Sequence, residues 1–292
     1  MAVWNLGSIN IDNAYRVPHL PGPGETLSAT AHQQGLGGKG ANMSVAIARG
    51  AGRVTHIGAV GGDGAWTVER LMEYGVDTRS IATMRGEATG HANIAVAEDG
   101  ENQIIIYPGT NGMITEEMIG AALSTASPGD TLVTQNETNG QLYAAQIAKQ
   151  LGLRVVYAAA PFDAAAVEAV LPFVDLLVLN EVEAEQLQAA LGKDLSDLGI
   201  DDIVVTLGGD GSRWINVSAG TETHVSAIPV TPVDTTGAGD TFTGFLIAGL
   251  DRGLPMAQAL SLATQAGALM VTRLGTADVI PDLKDIEDAR LT

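Results

Sequence analysis

Residues 234–240, Asp-Thr-Thr-Gly-Ala-Gly-Asp, have the residue types and spacing best suited to chemistry in this chain. They lie between a short extended run that ends at Val233 and a long apolar helical stretch that begins at Thr241. The small residues 237–239 leave backbone amides uncovered where a helix begins, so N–H groups and the positive end of the helix dipole face one point. That point predicts an anion site. Asp240 follows directly, and beside a phosphate-sized anion its expected use is to take a proton from an attacking hydroxyl.

A second glycine-rich segment, residues 35–42, has the sequence Gly-Leu-Gly-Gly-Lys-Gly-Ala-Asn and opens the helical run 43–49. Its glycines allow a ligand to approach the backbone, while Lys39 and Asn42 offer donors to hydroxyl groups. Such a loop suits a polyol. Either segment alone is also compatible with an ordinary turn before a helix. Together they indicate phosphoryl transfer to a hydroxyl group, which needs both positioning and removal of a proton.

The elements that must position these segments alternate along the chain. Short apolar runs, several rich in Val and Ile, predict buried strands at residues 2–9, 54–59, 131–134, 154–159, 176–179 and 203–207. Helical stretches lie between most of them, at residues 65–74, 116–123, 141–151 and 181–191. The alternation predicts an α/β fold with a doubly wound, Rossmann-like, mostly parallel sheet flanked by helices, whose ligands bind beyond the carboxyl ends of the strands.

Two regions, residues 15–34 and 91–107, break this alternation and predict exposed pairs of strands. The second pair turns at residues 98–101, Glu-Asp-Gly-Glu, where Asp-Gly is a hairpin signal. Plain surface hairpins are the alternative to a functional role for these pairs.

With these motifs established, the chain resembles the PfkB carbohydrate kinase family and, within it, the ribokinases. Two further motifs match in the expected order: residues 7–12 close the first predicted strand, and residues 180–185 follow the strand 176–179. The resemblance covers the chain from Gly7 to Pro281. It implies one ribokinase-like domain over residues 1–292 with a small β-sheet lid inserted at about 10–34 and 90–108, and a homodimer formed through the lid.

The resemblance further implies ATP-dependent transfer of the γ-phosphate to a hydroxymethyl group of a pentose, D-ribose first. Asp240 is then the general base, with an anion hole at Gly237, Ala238 and Gly239. The implied sugar-binding set is Asn10, Asp12, Gly38, Lys39, Asn42, Glu137 and Asp240. The implied nucleotide-binding set is Asn180, Thr206, Leu207, Gly208, Gly209, Asp210, Gly211, Gly239 and Thr264. Glu183 acts on Mg²⁺ through water, and K⁺ is held by Asp234, Thr236, Met270, Arg273 and Gly275.

The chain departs from the ribokinase pattern at two places. Val279 stands where the family has a serine beside the monovalent cation, so a hydroxyl is missing there. Between residues 185 and 203 the chain is shorter than ribokinases, which affects the approach to the predicted adenine pocket.

Composition limits the classes of function. The chain has 292 residues, 46% hydrophobic content and no cysteine, so it can bury a large core but holds no disulfide or thiolate metal site. Its 34 acidic and 15 basic residues give a net charge of -19, which opposes binding to nucleic acid or to an anionic membrane surface. No apolar run has the length needed to cross a bilayer, and the N-terminus lacks a basic segment followed by an apolar one. We therefore expect a cytoplasmic enzyme.

Other readings of the motifs are weaker. Residues 35–40 spell the Gly-x-Gly-x-x-Gly fingerprint of NAD-dependent dehydrogenases, with Asp63 downstream, yet the polar residues 28–34 precede it instead of the first buried strand. No Gly-x-x-x-x-Gly-Lys-Ser/Thr motif of a P-loop NTPase occurs. A PfkB kinase for another sugar or a nucleoside stays open, and so does a non-catalytic sugar sensor on the same fold.

Overall fold

The computed structural model describes residues 1–289 and divides its strands between a large and a small sheet. In chain order the strands are β1 (Val3–Leu6), β2 (Asn10–Arg16), β3 (Ala31–Gly37), β4 (Val54–Gly61), β5 (Ile81–Met84), β6 (Gly90–Val96), β7 (Asn102–Tyr107), β8 (Thr131–Thr134), β9 (Arg154–Ala158), β10 (Leu176–Asn180), β11 (Asp202–Thr206), β12 (Ser212–Asn216) and β13 (Thr221–Val225). The helices are α1 (Lys39–Arg49), α2 (Ala65–Glu73), α3 (Glu116–Leu123), α4 (Gln141–Gln150), α5 (Ala164–Val170), α6 (Glu181–Leu191), α7 (Ala238–Asp251), α8 (Met256–Met270) and α9 (Leu283–Ala289).

The large sheet has the strand order β13-β12-β11-β10-β9-β8-β1-β4-β5. From β11 to β5 every neighbouring pair is parallel, whereas β12 and β13 add an antiparallel edge that the sequence did not predict. Alternate residues such as Val155 and Val156 pack into cores on opposite faces of the sheet. Because helices cover both faces, the parallel strands are mostly apolar, and the predicted doubly wound α/β fold is confirmed.

Helices α1 and α7 pack against each other more closely than ordinary side chains allow. A Cβ atom at Gly244 of α7 would lie 2.4 Å from the Cβ of Ala46 in α1. Glycine at this crossing therefore lets the two backbones approach, and α7 is buried along most of its length. The close crossing brings the N-terminal turn of α1 beside the N-terminal turn of α7.

The small sheet has the order β3-β2-β6-β7. Strand β2 pairs antiparallel with β3 and parallel with β6, and β6 pairs antiparallel with β7. The turn predicted at residues 98–101 joins β6 to β7, with Gly100 in the left-handed region at φ 91°. All residues of β7 are exposed, so this sheet stands out from the main body at the end where the sugar motifs lie.

The pair of strands predicted at residues 15–34 is present, but its bounds differ from the prediction and a long loop joins the two strands. Strand β2 begins earlier, at Asn10, and residues 17–30 between β2 and β3 are not strand. Proline at positions 18, 21 and 23 lacks the N–H that a strand ladder needs, which accounts for the break. The first predicted strand, 2–9, likewise ends at Leu6, because the chain turns there from the large sheet into the small one.

The carboxyl ends of the parallel strands meet along one edge of the large sheet. Residues following β1, β8, β10 and β11 lie there, together with the N-terminal turns of α1 and α7. Among the helices of residues 1–289, none has both the length and the apolar character required to span a lipid bilayer. The edge therefore collects each of the motifs that the sequence singled out.

Candidate active site

The N-terminus of α7 has the form expected of an anion site. Gly237 adopts φ 76°, a left-handed conformation that lets the chain turn directly into the helix without a side-chain cap. The Ala238 N–H donates to Thr235 O at 3.2 Å. Within residues 1–289, the N–H groups of Gly239 and Asp240 have no such acceptor, and no atom lies within 4 Å of an added Gly239 Cβ. The N–H groups of Gly239 and Asp240 are therefore available to an anion. The N–H group of Ala238, which was also predicted to bind the anion, already donates to Thr235 O.

Asp240 lies in the first turn of α7 with only 7% of its surface exposed. Asn42 of α1 donates from Nδ2 to Asp240 Oδ2 at 2.9 Å. Burial raises the pKa of Asp240, while the positive charge of Lys39 and the Asn42 hydrogen bond oppose that shift. A buried carboxylate with a raised pKa is a stronger proton acceptor than a solvated one, as a general base requires.

A cavity of about 240 Å³ opens above Asp240. Its lining includes Lys39, Asn180, Glu183, Gly237 and Gly239. The negative charge of Asp240 is the largest cause of the raised pKa of Lys39, so the lysine stays protonated and balances the acids around it. The cavity thus joins a base, a cation and open helix amides in one space.

Asp12 of β2 contributes a second, half-buried carboxylate that lies close enough to Asp240 and Glu137 to feel their charges. Burial raises its pKa from 3.8 to about 7, and the charges of Glu137 and Asp240 add to the effect. A Cβ atom at Gly37 would lie 1.9 Å from Asp12 Oδ2, so only glycine leaves room for this side chain. No hydrogen bond within residues 1–289 satisfies the Asp12 carboxyl, which leaves it available to hydroxyl groups of a ligand.

Glu137, after β8, holds the glycine loop in place. Its Oε2 accepts from Ser8 Oγ at 2.5 Å and from the Lys39 N–H at 3.0 Å. Ser8 Oγ in turn accepts from the Gly40 N–H at 3.2 Å. Glu137 was predicted to bind sugar, but one of its oxygens is occupied by the loop. Gly38, the N-cap residue of α1, has φ 93°, so the loop needs glycine at this position as well.

A second cavity of about 370 Å³ continues from the first. The two cavities share Thr206, Thr235 and Gly239 in their walls. Of the predicted nucleotide residues, the second cavity is lined by Thr206, Gly208, Gly209, Gly211, Gly239 and Thr264. Leu207 and Asp210 are not in its wall, because Leu207 packs toward the core and Asp210 donates its N–H back to Leu207 O.

Asn180 and Glu183 form a capping box at the start of α6. Asn180 Oδ1 accepts from the Glu183 N–H at 2.8 Å, and Glu183 Oε2 accepts from the Asn180 N–H at 2.8 Å. Burial raises the pKa of Glu183, with the Asn180 hydrogen bond and the charge of Lys39 acting against it. The box fixes the glutamate in the wall of the first cavity.

The comparisons with known proteins agree with this geometry. The model of the pfkB family carbohydrate kinases matches residues 3–283. The chain belongs to the PfkB family of carbohydrate kinases. This PfkB kinase is 35% identical over 291 residues to a ribokinase of Haemophilus influenzae, covering 94% of each chain. It is 30% identical over 297 residues to a deoxyribokinase of Salmonella typhimurium, covering 97% of this chain and 96% of the other.

A solved structure of Arabidopsis thaliana ribokinase, complexed with ribose and ATP, superposes on the PfkB kinase with a TM-score of 0.85. The two are 29% identical, and the match covers 99% of this chain and 98% of the other. The ribokinase-like arrangement of a mostly parallel sheet, flanking helices and a small second sheet is thereby confirmed.

The loop predicted to hold a monovalent cation in the PfkB kinase comes together around Asp234. Its Oδ1 accepts from the Thr236 N–H at 2.9 Å, and its Oδ2 accepts from the Gly275 N–H at 3.3 Å. The Arg273 guanidinium is directed away, to Val279 O and Asp285.

The carbonyl groups of this loop are only partly available to a cation. Met270 O already accepts from the Arg273 N–H at 3.0 Å. The two Cγ methyl groups of Val279 would lie 3.6 Å from a Cβ at Gly275, so an apolar wall borders the loop where the family has a hydroxyl.

Two residues near the sugar pocket of the PfkB kinase were missed by the sequence reasoning. Ser8 links Glu137 to the glycine loop, as described above. Asn111, which follows β7, is 1% exposed and bonds to Ile9 and Asn10. A buried asparagine in the short segment between β7 and α3 leaves no periodic signal in the sequence, and its partners lie about a hundred positions away.

Proposed function

We propose that this protein is an ATP-dependent kinase that transfers the γ-phosphate to the hydroxymethyl oxygen of D-ribose, forming ribose 5-phosphate. The observation that carries the proposal is the position of Asp240. It lies in the first turn of α7, in the wall of the first cavity, directly after Gly239, which lines both cavities. The relatives named ribokinase, and the relative complexed with ribose and ATP, support ribose and ATP as the two substrates.

In the proposed reaction the sugar occupies the space between Asp12, Asn42 and Asp240, and the nucleotide occupies the second cavity. Asp240 takes the proton of the hydroxymethyl group as its oxygen attacks the γ-phosphorus. The bond from the γ-phosphorus to the bridging oxygen breaks, and ADP leaves with the electron pair. The Gly239 N–H and the positive end of α7 stabilise charge on the transferred group.

Fixed polar groups give the proposed sugar site its selectivity. Asp12 accepts hydrogen bonds from sugar hydroxyls, and Lys39 and Asn42 provide donors. A sugar that lacks a matching hydroxyl leaves one of these groups unpaired in a buried site, which costs affinity. Deoxyribose is the most informative substrate to compare with ribose, since one relative of this chain is named deoxyribokinase.

Metal ions are a further part of the proposal. Glu183 and the phosphates of the nucleotide would hold Mg²⁺ through water, and the ion would supply positive charge that neutralises the phosphates. The free Oε1 of Glu183, in the wall of the first cavity, fits that role. K⁺ would lie at Asp234, Thr236 and Gly275, with carbonyl groups from Met270 and Arg273. We propose a weaker dependence on K⁺ than a serine at position 279 would give.

We propose that residues 1–292 form one domain in which the small sheet acts as a lid over the sugar. Two copies are proposed to associate through the lids. Strand β7 supports this, because its outer edge pairs with no strand of residues 1–289 and it exposes Ile104, Ile105, Ile106 and Tyr107, a surface that proteins normally cover. The strongly acidic charge supports an enzyme that binds neither nucleic acid nor membrane, and we place it in the cytoplasm.

A substrate panel tests the function. With ATP and Mg²⁺, we expect D-ribose to give the highest kcat/KM among ribose, deoxyribose, fructose, other pentoses and nucleosides, with omission of K⁺ lowering the rate. A much higher kcat/KM for a nucleoside would contradict the assignment of ribose as substrate but would leave the assignment as a kinase intact. Sugar binding without turnover of any sugar would favour a sensor.

A further inference from the structure

Asn111 lies where the small sheet joins the main body, beside the proposed sugar site. It belongs to the short segment that leads out of β7, and its side chain is buried against the chain between β1 and β2. Asn111 Oδ1 accepts from the Ile9 N–H at 2.9 Å, and Asn111 Nδ2 donates to Ile9 O at 3.2 Å. The carboxamide therefore pairs with one residue's backbone on both sides, as a neighbouring strand would.

A third bond reaches the sugar-site residue Asn10. Asn111 Nδ2 also donates to Asn10 Oδ1 at 2.7 Å. The orientation of Asn111 follows from Ile9, because a backbone N–H only donates and a backbone oxygen only accepts. Asn10 must then present its oxygen to Asn111, and its own NH₂ group is turned the other way. Within residues 1–289 no hydrogen bond occupies that NH₂ group.

The lid packs directly on this pair of amides. A Cβ atom at Gly90, the first residue of β6, would lie 2.1 Å from Asn111 Nδ2 and 2.6 Å from Asn10 Oδ1. Gly90 also pairs with Asn10 in the ladder between β2 and β6. Only glycine at this position leaves room for the two side-chain amides in this arrangement.

We propose that Asn111 is a positioning residue for sugar binding: it fixes the Asn10 carboxamide so that its NH₂ group, not its oxygen, faces the sugar. The proposal rests on the proposed function and assigns one determinant of its substrate class. Asn10 then donates to an oxygen of the sugar while Asp12, on the same strand, accepts from a hydroxyl. The site therefore recognises a sugar with a hydrogen-bond acceptor next to a hydrogen-bond donor. Asn111 determines which of the two faces Asn10.

The test is a double-mutant cycle between positions 10 and 111, using Asn10→Ala, Asn111→Leu and the double variant. We expect Asn111→Leu to raise the KM for D-ribose about tenfold, the loss that follows from misplacing one hydrogen bond, with kcat and the KM for ATP near wild type. If Asn111 acts through Asn10, the double variant binds ribose no worse than Asn10→Ala alone. Additive effects of the two substitutions would overturn the proposal.

Thr110→Val is the matched control. Thr110 is the adjacent residue, is fully buried, and donates from Oγ1 to Ala59 O at 2.9 Å without touching Asn10. Its substitution removes a hydrogen bond from the same segment and is expected to lower stability but leave the KM for ribose unchanged. An equal rise in KM for Thr110→Val and Asn111→Leu would reduce Asn111 to a structural role and overturn the proposal.

If Asn111→Leu does not fold, Asn111→Asp replaces it in the double-mutant cycle. The carboxylate still accepts from the Ile9 N–H but cannot donate to Asn10 Oδ1, so Asn10 reverses and presents its oxygen to the sugar. We expect a similar rise in the ribose dissociation constant, measured by calorimetry without ATP; wild-type affinity would overturn the proposal. If wild-type protein phosphorylates another sugar instead, the proposed function fails on its own and the same cycle is run with that sugar.

Discussion

At the scale of single residues, the site is a balance of buried acids around one lysine. Asp12 and Asp240 both have raised pKa values, and in each case burial is the largest cause. Lys39 lowers the cost of ionising Asp240, and Asn42 adds a hydrogen bond to it. Among residues 1–289, Asp12 has no such hydrogen-bond partner, and its pKa is raised to about 7.

This difference predicts a pH dependence of sugar affinity. The pKa of Asp12 is raised to about 7, so below that pH the carboxyl carries a proton and loses acceptor capacity toward sugar hydroxyls. We expect the dissociation constant for ribose to fall as pH rises through about 7 and then to level off. In Asp12→Asn the affinity is lower and does not change over this range. Calorimetric titrations without ATP measure the dissociation constant at each pH. The same change of affinity with pH in Asp12→Asn would show that Asp12 is not its cause.

The raised pKa of Asp12 also determines how this residue changes the stability of the fold with pH. The folded pKa exceeds the ordinary value of 3.8, so the folded empty protein holds more protons than the unfolded chain between 3.8 and about 7. The contribution of Asp12 to stability is complete below 3.8 and is lost as pH rises through about 7.

Residue identity selected motif residues that the fold brings together, but it did not predict the contacts that each residue makes. Asp240 and Asn42, which are 198 positions apart, were assigned to one site because each lies in a recognisable glycine-rich motif. Glu137 was assigned to the sugar, yet its oxygen holds the glycine loop, a contact that depends on how β8 and α1 meet. Asn111 carries no motif, so only the folded chain reveals it.

At the scale of elements, the contact between α1 and α7 brings Asn42 within hydrogen-bond distance of Asp240. Because Gly244 has no side chain, α7 approaches Ala46 of α1 more closely than any other residue at position 244 would allow. The buried strands and most helices were predictable from apolar runs and periodicity. The parallel pairing of β2 with β6 was not, since it depends on partners far apart in the chain.

Gly244→Ala tests this contact. The added methyl would lie 2.4 Å from the Ala46 Cβ and 2.9 Å from Met43 O, so the helices must separate. We expect a loss of about 1–3 kcal/mol in the free energy of unfolding, together with a lower kcat as Asn42 moves from Asp240.

Gly120→Ala is the matched control in α3, where the new methyl would meet only Tyr143 Oη at 3.5 Å. It is expected to leave kcat unchanged and to raise stability by about 0.4–1 kcal/mol. Urea unfolding and initial rates measure both variants. Equal behaviour of the two would show that the crossing of α1 and α7 is not critical.

At the scale of the whole molecule, the large sheet is covered on both faces, whereas the small sheet, which is the proposed lid, is exposed along β7. The lid exposes Ile105 at 64% on an edge strand, and the neighbouring isoleucines alternate between its two faces. A second copy of the lid is the surface best matched to this one, which is the basis of the proposed dimer.

Light scattering after size exclusion tests the dimer, for which we expect twice the chain mass of 30.0 kDa. Ile105→Lys and Ile106→Lys place a charge on opposite faces of β7, and at least one is expected to give the single-chain mass. Met72→Lys, on α2 and 61% exposed, is the matched control and is expected to stay dimeric. A single-chain mass for the wild type would contradict the proposal.

The turnover number of Asp240→Asn with D-ribose and ATP tests the central claim most directly. Asparagine keeps the shape of the side chain but cannot accept the proton, so kcat should fall about 10²- to 10⁴-fold while folding and ATP binding persist. Turnover near that of the wild type would show that Asp240 does not deprotonate the sugar, and the account of this site would be wrong.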